Sequence, residues 1–492
     1  MMRKYLFTVL IIAITSCTYA QQATVKFKFI GANDQNVKVQ LPVDGTTFYP
    51  ARANKQFGAD STLTLNFAVE KIANVFMVSG NRNFRFLIAP GQTAIELDLN
   101  KKDTSAITYR GKNAKGQLLI NSRKNVFYQN RASKYLRLDS TATGVVNLIA
   151  ADQQKELKPY VDLLHQKKIS QVFFDAIKAD IDMDYIAITA FVPIEIYFDS
   201  QRANSKVVFK DEFKELWKKT YEQYPFNNPA FLNAAEFYYH AEYYSNYYVG
   251  MFVPQVKGTW VKPNYEDGDQ RLRDSYIGFA KNFTGKTREY LMASFLFNEM
   301  FQNKYQAVLV SLFDDFKKQY PISKFSPLLQ PAADVIVKYH QDIKKDFAAD
   351  QKFVANYRQV NSLDDLMAMF KGKTVFVDIW ATWCGPCKVE FEYGEGLDKF
   401  LKSKNAEMLY ISTDKDAADQ QWKDMIKYYK LAGNHIRTND LLLKDLISKL
   451  WGGKGGYSIP RYLILKDGKL VVPDALRPSD KQKLYDQIAT YL

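Results

Sequence analysis

Cysteine and histidine, the residues that build disulfide frameworks and many metal sites, are scarce in this sequence. Its 492 residues include only three cysteines and four histidines. A structural zinc site needs four ligands at suitable spacing, and the scattered histidines cannot complete one around a pair of cysteines. We therefore expect neither a metal nor another cofactor. We expect the two neighbouring cysteines, Cys384 and Cys387, to take part in redox chemistry, the alternative being an inert structural disulfide.

The sequence also lacks an apolar run long enough to cross a membrane. Residues 5–14 and 185–198 are largely apolar, but a spanning helix needs about 20 such residues. We expect residues 185–198 to form a buried helix or strand, and we predict no transmembrane span.

Clustered basic residues are absent as well, although the formal net charge is +14. Lysines and arginines occur in short pairs with carboxylates between them, which is typical of a solvated surface. A nucleic-acid-binding protein would need a basic patch with motif residues interleaved. We therefore predict no nucleic-acid partner.

The N-terminus has the pattern of a secretory signal. Met-Met-Arg-Lys precedes a short apolar run and then small and polar residues, so we predict a signal peptide over residues 1–20, cleaved after Ala20. The alternative is a lipoprotein signal, because residues 14–17 resemble a lipobox in which Cys17 would carry a lipid anchor. Either signal predicts export to the periplasm or the outer cell envelope.

Residues 21–112 show the alternation of β-strands. Val25, Phe27 and Phe29 alternate with lysines, and similar apolar patterns recur with turn signals such as Asp44-Gly45 between them. Short strands at this spacing predict a β-sandwich-like domain. We find no catalytic constellation in it.

Residues 113–350 change to a helical period. The apolar stripe that includes Phe213, Trp217 and Tyr224 is typical of this region. We predict an α-helical domain of about eight helices, separated by prolines that include Pro331.

One helical segment, residues 235–252, is unusually rich in tyrosine. Two neighbouring rows at helical spacing contain Tyr239, Tyr243 and Tyr247, and His240, Tyr244 and Tyr248. Such rings could form a platform for a peptide or a sugar. Packing is the favoured interpretation, since aromatic stripes at helical spacing usually fill interiors.

The clearest chemical signal is TVFVDIWATWCGPCK, residues 374–388. Its first half is a near-continuous apolar run, as expected of a strand buried on both faces. The spacing of Cys384 and Cys387 then puts both sulfurs on one side of a first helical turn. Free backbone N–H groups at that helix start can stabilise a thiolate on Cys384, so we predict that Cys384 is the attacking thiol.

These residues closely resemble thioredoxin, and the C-terminal region resembles the extracytoplasmic thiol-disulfide oxidoreductases of the TlpA type. A second matching motif, Ile459-Pro460, is followed by a strand and a hairpin. The resemblance implies an α/β thioredoxin fold for residues 351–492 and a cis Pro460 that faces a Cys384–Cys387 disulfide.

The resemblance also suggests roles for individual side chains. Asp378 matches the buried acid of thioredoxins and would accept the proton of Cys387, although it could instead be a strand-end residue bonded to backbone. Trp383, Ile459 and Pro460 would contact the substrate. We expect the side chain of Lys388 to be solvated.

Together these features predict an exported enzyme that reduces disulfides in other exported proteins. Its partners would be those disulfide-containing proteins and an unidentified thiol protein that donates electrons. The alternative is an extracytoplasmic binding or scaffold protein in which the thioredoxin domain is accessory.

Overall fold

The computed structural model describes residues 21–32, 36–48, 51–80, 82–123, 126–263, 268–302, 305–453 and 456–492. The predicted signal peptide, with Cys17, lies outside the described residues. The chain divides into two compact units, one ending at Asp334 and the other comprising Val335–Leu492. The finer domain boundaries at 112 and 350 stay predictions.

The N-terminal part of the first unit consists of two four-stranded sheets. Their orders are β4-β1-β7-β8 and β3-β2-β5-β6, and the strands are β1 Gln21–Ile30, β2 Asn36–Gln40, β3 Arg52–Gln56, β4 Thr62–Val69, β5 Ala73–Ser79, β6 Arg82–Ile88, β7 Gly91–Asp98 and β8 Ile107–Tyr109. The alternating apolar residues of both sheets share one core, in which the rings of Phe27 and Phe86 lie 5.7 Å apart. The predicted β-sandwich-like region is therefore confirmed.

The region after the sheets is helical, as predicted. Among the described residues it contains eleven α-helices, more than the eight expected: α1 Ala114–Ser122, α2 Tyr128–Leu138, α3 Ala142–His165, α4 Gln171–Ser200, α5 Asp211–Gln223, α6 Phe237–Tyr243, α7 Val253–Val256, α8 Gly268–Asn282, α9 Gly285–Phe301, α10 Val308–Gln319 and α11 Ser326–Asp342. Pro331 lies inside α11 and does not end a helix. Residues 185–198 belong to α4, whose apolar side chains are mostly buried.

The tyrosine-rich segment forms α6 and a π-helix, Tyr244–Phe252. His240 is buried, and the four tyrosines that follow it pack against a core cluster that contains Trp217. The packing interpretation is therefore confirmed for these side chains. Tyr239 differs, since it is 46% exposed.

Buried ion pairs hold the first unit's sheets to its helices. Arg85 of β6 and Arg123 after α1 both donate to Asp180 of α4, at 2.8 and 2.7 Å. Burial raises the pKa of Asp180, but the two guanidinium groups outweigh this effect and hold the pKa below its ordinary value. Removing one partner of such a network leaves a buried charge uncompensated, which is strongly destabilising.

The second unit contains a six-stranded sheet of order β14-β13-β10-β11-β12-β9. Its elements are β9 Gln351–Phe353, α12 Leu363–Ala368, β10 Thr374–Trp380, α13 Gly385–Glu390, α14 Gly394–Ser403, β11 Glu407–Ser412, α15 Asp419–Tyr428, β12 Gly433–Arg437, α16 Asp440–Trp451, β13 Arg461–Lys466, β14 Lys469–Val472 and α17 Gln482–Ala489. Strand β10 is central and buried along its whole length, parallel to β11 and antiparallel to β13. This arrangement confirms the predicted thioredoxin-like α/β fold.

No helix among the described residues has the length and apolar character that a membrane span requires.

Candidate active site around Cys384 and Cys387

The cysteine pair lies where the central strand gives way to a helix. Strand β10 ends at Trp380, and Cys384 is the N-cap of α13. The Cys384 Sγ accepts a hydrogen bond from the backbone N–H of Cys387, at 3.2 Å, and the two sulfurs form a disulfide. Pro386 fits in the first turn because its missing N–H falls among groups that have no intrahelical partner. The sulfur of Cys384 thus already receives a donor that would stabilise its thiolate.

Both cysteines are buried, next to an exposed tryptophan. Cys387 is fully buried and Cys384 is 3% exposed, whereas the neighbouring Trp383 is 62% exposed. Trp380 is fully buried and packs edge-on against Phe391, with ring centroids 5.2 Å apart. The exposed indole of Trp383 therefore marks the surface from which a partner could approach the disulfide.

Asp378 lies beneath this surface, inside the sheet. It is 2% exposed, and its Oδ1 has no hydrogen-bond partner among the described residues. In the strand register it lies opposite Tyr410 on one side and Tyr462 on the other. Burial raises the pKa of Asp378 well above its ordinary value, and the nearby carboxylate of Glu390 raises it further. A buried carboxyl group with a raised pKa at such a place is a candidate for proton exchange.

Glu390 is a site residue that the sequence interpretation missed. It lies on α13 and is 6% exposed, and its carboxylate accepts hydrogen bonds from the Ser479 backbone N–H at 2.9 Å and from the Ser479 Oγ at 3.0 Å. Its position three residues after Cys387, on the same helix face, was the signal that could have revealed it. The site therefore has two buried carboxyl groups, and the charge of Glu390 raises the pKa of Asp378.

Lys388 contradicts the expectation of a solvated side chain. It is only 9% exposed, and burial lowers its pKa, with partial compensation from the carboxylate of Asp414. Asp414 is itself buried and accepts hydrogen bonds from the Thr382 backbone N–H and Oγ1 and from the Ser412 Oγ. This polar cluster ties the end of β11 to the loop that carries the cysteines.

Ile459 and Pro460 precede β13, and the peptide bond between them is cis. Arg461 is paired with Ile379 of β10, so Pro460 lies at the edge of the sheet where β10 ends and the cysteine loop begins. Both side chains are partly buried, and Ile459 packs against the core of the unit. Trp383, Ile459 and Pro460, the predicted substrate contacts, thus lie in the loop after β10 and in the segment before β13, and these two strands are neighbours in the sheet.

A metal site is not apparent in the parts of the chain that the structure covers. No group of three or more histidine, cysteine, aspartate or glutamate side chains there could hold a metal ion.

Comparison with known proteins agrees with this fold. Residues 349–483 match the Redoxin family. Thiol-disulfide oxidoreductase ResA from Bacillus thuringiensis subsp. konkukian is 36% identical over 108 residues, which are 21% of this chain and 54% of the relative. ResA from Bacillus subtilis is 45% identical over 42 residues, 8% of this chain and 24% of the relative. The chain thus spans about half the length of these ResA relatives from Bacillus thuringiensis and Bacillus cereus.

Two solved structures of thiol-disulfide oxidoreductases are also similar to part of this chain. The thioredoxin domain of a thiol-disulfide oxidoreductase from Bacteroides vulgatus is 27% identical, with a TM-score of 0.20, and the match covers 25% of this chain and 81% of that one. A thiol:disulfide interchange protein from a Bacteroides species is 25% identical, with a TM-score of 0.20 and coverage of 25% and 76%. Residues 349–483 match the Redoxin family and contain a central strand that leads to the cysteine pair, and the chain is similar to ResA, so this region is a thioredoxin-like domain of the kind found in thiol-disulfide oxidoreductases.

Proposed function

We propose that the protein is an exported thiol-disulfide oxidoreductase that reduces disulfides in other exported proteins. The observation that carries this proposal is the position of Cys384, whose sulfur caps α13 and accepts the N–H of Cys387 beside the exposed Trp383. A thiolate on Cys384 would keep this donor, and Cys387 is fully buried behind it in the same helical turn. Cys384 therefore attacks and Cys387 resolves.

The reaction transfers two electrons from the protein dithiol to the substrate. The Cys384 thiolate attacks one sulfur of the substrate disulfide, forms a mixed disulfide and releases the other substrate sulfur as a thiolate. Cys387 then loses its proton and attacks the Cys384 sulfur, which releases the second substrate thiolate. The protein ends as the Cys384–Cys387 disulfide, and a thiol protein that donates electrons restores the dithiol.

Asp378 is the acceptor for the proton of Cys387. Its buried carboxyl has a pKa held well above the ordinary value by burial and by Glu390, so it can take up a proton in a place where water has little access. Trp383, Ile459 and Pro460 contact the substrate polypeptide around its disulfide.

The direction of electron flow is tested by the reduction potential. Gly385 and Pro386 add no charge near Cys384, so stabilisation of the thiolate should come mainly from the helix terminus and stay moderate. We expect wild type to lie nearer the roughly −270 mV of thioredoxin than the about −120 mV of a strong oxidant. Equilibration against glutathione and dithiothreitol buffers measures the value, and a potential near the oxidant end would contradict a reductase.

Pro386→His is expected to raise that potential. A histidine cation beside Cys384 would stabilise the thiolate and therefore the reduced form, and each tenfold stabilisation raises the potential by about 30 mV. We expect a rise on the order of 30 mV or more in the same redox buffers, with Lys399→His on the exposed face of α14 as the control. A fall in the potential would show that groups outside the motif set its value.

The proposed export route is tested at Cys17. We expect Cys17→Ala to be exported and cleaved after Ala20 as in wild type, because that cleavage does not use the thiol. Mass spectrometry of the mature N-terminus measures this. Incorporation of radiolabelled palmitate into wild type, lost in Cys17→Ala, would instead establish a lipid anchor.

A further inference from the structure

The first unit contains a cavity of about 780 Å³ that no step of the redox proposal uses. Strands β5 and β6 form one wall, and helices α6 and α9 contribute much of the rest. A volume of this size lies within the range of pockets that bind organic ligands. The cavity is therefore large enough for a side chain and part of the backbone of a peptide.

The residues that line the cavity include more carboxylates than guanidinium groups, although the chain as a whole is basic. Its lining includes five carboxylates and three guanidinium groups, a formal charge of −2, whereas the whole chain has a formal charge of +14. The acidic residues are Asp180, Asp184, Glu236, Glu242 and Glu299. Arg131 and Arg271, which lie outside the lining, pair with Asp184 and Glu299, so the preference for a cationic ligand depends on Glu236.

Most of these carboxylates already have partners, but Glu236 does not. Asp180 pairs with Arg85 and Arg123, and Glu299 pairs with Arg271 at 3.1 Å. The carboxylate of Glu236 makes no hydrogen bond or ion pair with the described residues, yet it is half-buried at the start of α6. Burial, followed by the charges of Asp184 and Asp180, raises the pKa of Glu236 to about 7. This carboxylate therefore lacks a compensating cation.

The cavity also has exposed apolar side chains in its lining. Tyr239 is 46%, Phe301 60% and Val126 46% exposed. Inside, the guanidinium of Arg85 lies 5.4 Å from the ring centroid of Phe76, so these walls already accept a planar cation on an aromatic face. A ligand that fits all of these features has a cationic group between apolar ones. A free metal ion would not contact the apolar side chains, and a neutral sugar would not pair with the carboxylate of Glu236.

We propose that this cavity binds an extended polypeptide through the guanidinium or ammonium group of a basic side chain, with Glu236 as its counter-ion. Tyr239 and Phe301 contact the apolar residues that flank the basic one. The site does not involve Cys384 or Cys387, so this proposal stands or falls independently of the redox chemistry.

The test is calorimetric titration of the purified full-length protein, in a Cys384→Ser/Cys387→Ser background that excludes thiol exchange. The probe is the cysteine-free peptide acetyl-Gly-Phe-Arg-Phe-Gly-amide, and its matched control has citrulline, a neutral isostere, in place of arginine. We expect the arginine peptide to bind at least about tenfold more tightly than the citrulline peptide, because only arginine can pair with Glu236. N-acetylarginine amide, which lacks the flanking rings, should bind more weakly than the peptide.

Protein variants locate the site. Glu236→Gln should abolish the preference for arginine over citrulline, and Tyr239→Ala should weaken both peptides at least threefold while keeping the preference. Glu215→Gln, on the exposed side of α5, is the matched control and should behave as wild type. The proposal would be overturned if the two peptides bound with equal affinity or if neither bound. It would also be overturned if N-acetylarginine amide or cellobiose bound more tightly than the arginine peptide. If Glu236→Gln does not fold, Tyr239→Ala decides whether the peptide occupies this cavity.

Discussion

Cys387→Ala is expected to accumulate mixed disulfides with substrate proteins, whereas Cys384→Ser is expected to form none and to lose disulfide reduction down to the buffer background. Only the first variant keeps the thiol that attacks, and it lacks the thiol that releases the substrate. The hydrogen bond from the Cys387 N–H to the Cys384 sulfur remains possible in Cys387→Ala, because its donor is backbone. The attacking thiolate therefore keeps its stabilisation in the trapping variant.

The measurement is non-reducing electrophoresis of proteins captured from cells that express each variant, with and without dithiothreitol. Dithiothreitol should release the captured proteins from Cys387→Ala. The double variant Cys384→Ser/Cys387→Ala is the control for non-covalent binding and should capture nothing that dithiothreitol releases. Capture by Cys384→Ser in place of Cys387→Ala would reverse the roles of the two cysteines.

Asp378→Asn is expected to stabilise the oxidised protein while impairing its chemistry. An acid whose pKa is raised on folding binds more protons in the folded state, so the free energy of unfolding falls as pH rises from the ordinary pKa to the raised one. Asp378 has such a raised pKa because of burial and Glu390. In that pH window the free energy of unfolding falls by about 1.4 kcal/mol per pH unit. Asparagine does not titrate, so Asp378→Asn does not show this fall.

The stability measurement is urea unfolding at several pH values, followed by tryptophan fluorescence. Four of the six tryptophans lie in the second unit, so this signal mainly reports on the unit that contains Asp378. The advantage of Asp378→Asn over wild type should widen from pH 4 upward until the raised pKa is passed. Asp474→Asn, at an exposed position, is the matched control and should change stability by less than about 0.5 kcal/mol. A constant difference at all pH values would show that Asp378 does not titrate with a raised pKa.

The same variant should slow the resolving step more than the first attack. Loss of a positioned general base typically costs about 10² to 10⁴ in rate, and the proposed base serves Cys387 and not Cys384. Stopped-flow fluorescence with a disulfide peptide separates the two steps. Equal slowing of both would assign Asp378 a structural role.

The parts of the site that could be predicted from the sequence are those that depend on the order and spacing of residues close together in the chain. The run of β-branched and aromatic residues before Cys384 is typical of a strand buried on both faces, and a helical turn at the spacing of the two cysteines brings the sulfurs together. In the same way, alternation around Phe27 predicted a strand with one buried face.

The residues that the sequence did not reveal depend on tertiary packing. Glu390 is buried because its carboxylate bonds to Ser479, which is far away in the chain. Lys388 follows the cysteines in a short helix that is exposed at Val389 but buried at Lys388, so its charge gave no indication of its burial. The position of Glu236 in a cavity likewise results from the packing of sheets and helices that are separated in sequence.

Turnover of insulin disulfides is the measurement that most directly tests the redox function. With dithiothreitol as the electron donor, the wild-type protein should accelerate precipitation of the reduced insulin B chain. Cys384→Ser and the double variant Cys384→Ser/Cys387→Ser should both match the rate of dithiothreitol alone. A wild-type rate equal to that background would contradict the account and would favour a binding or scaffold protein with an accessory thioredoxin domain.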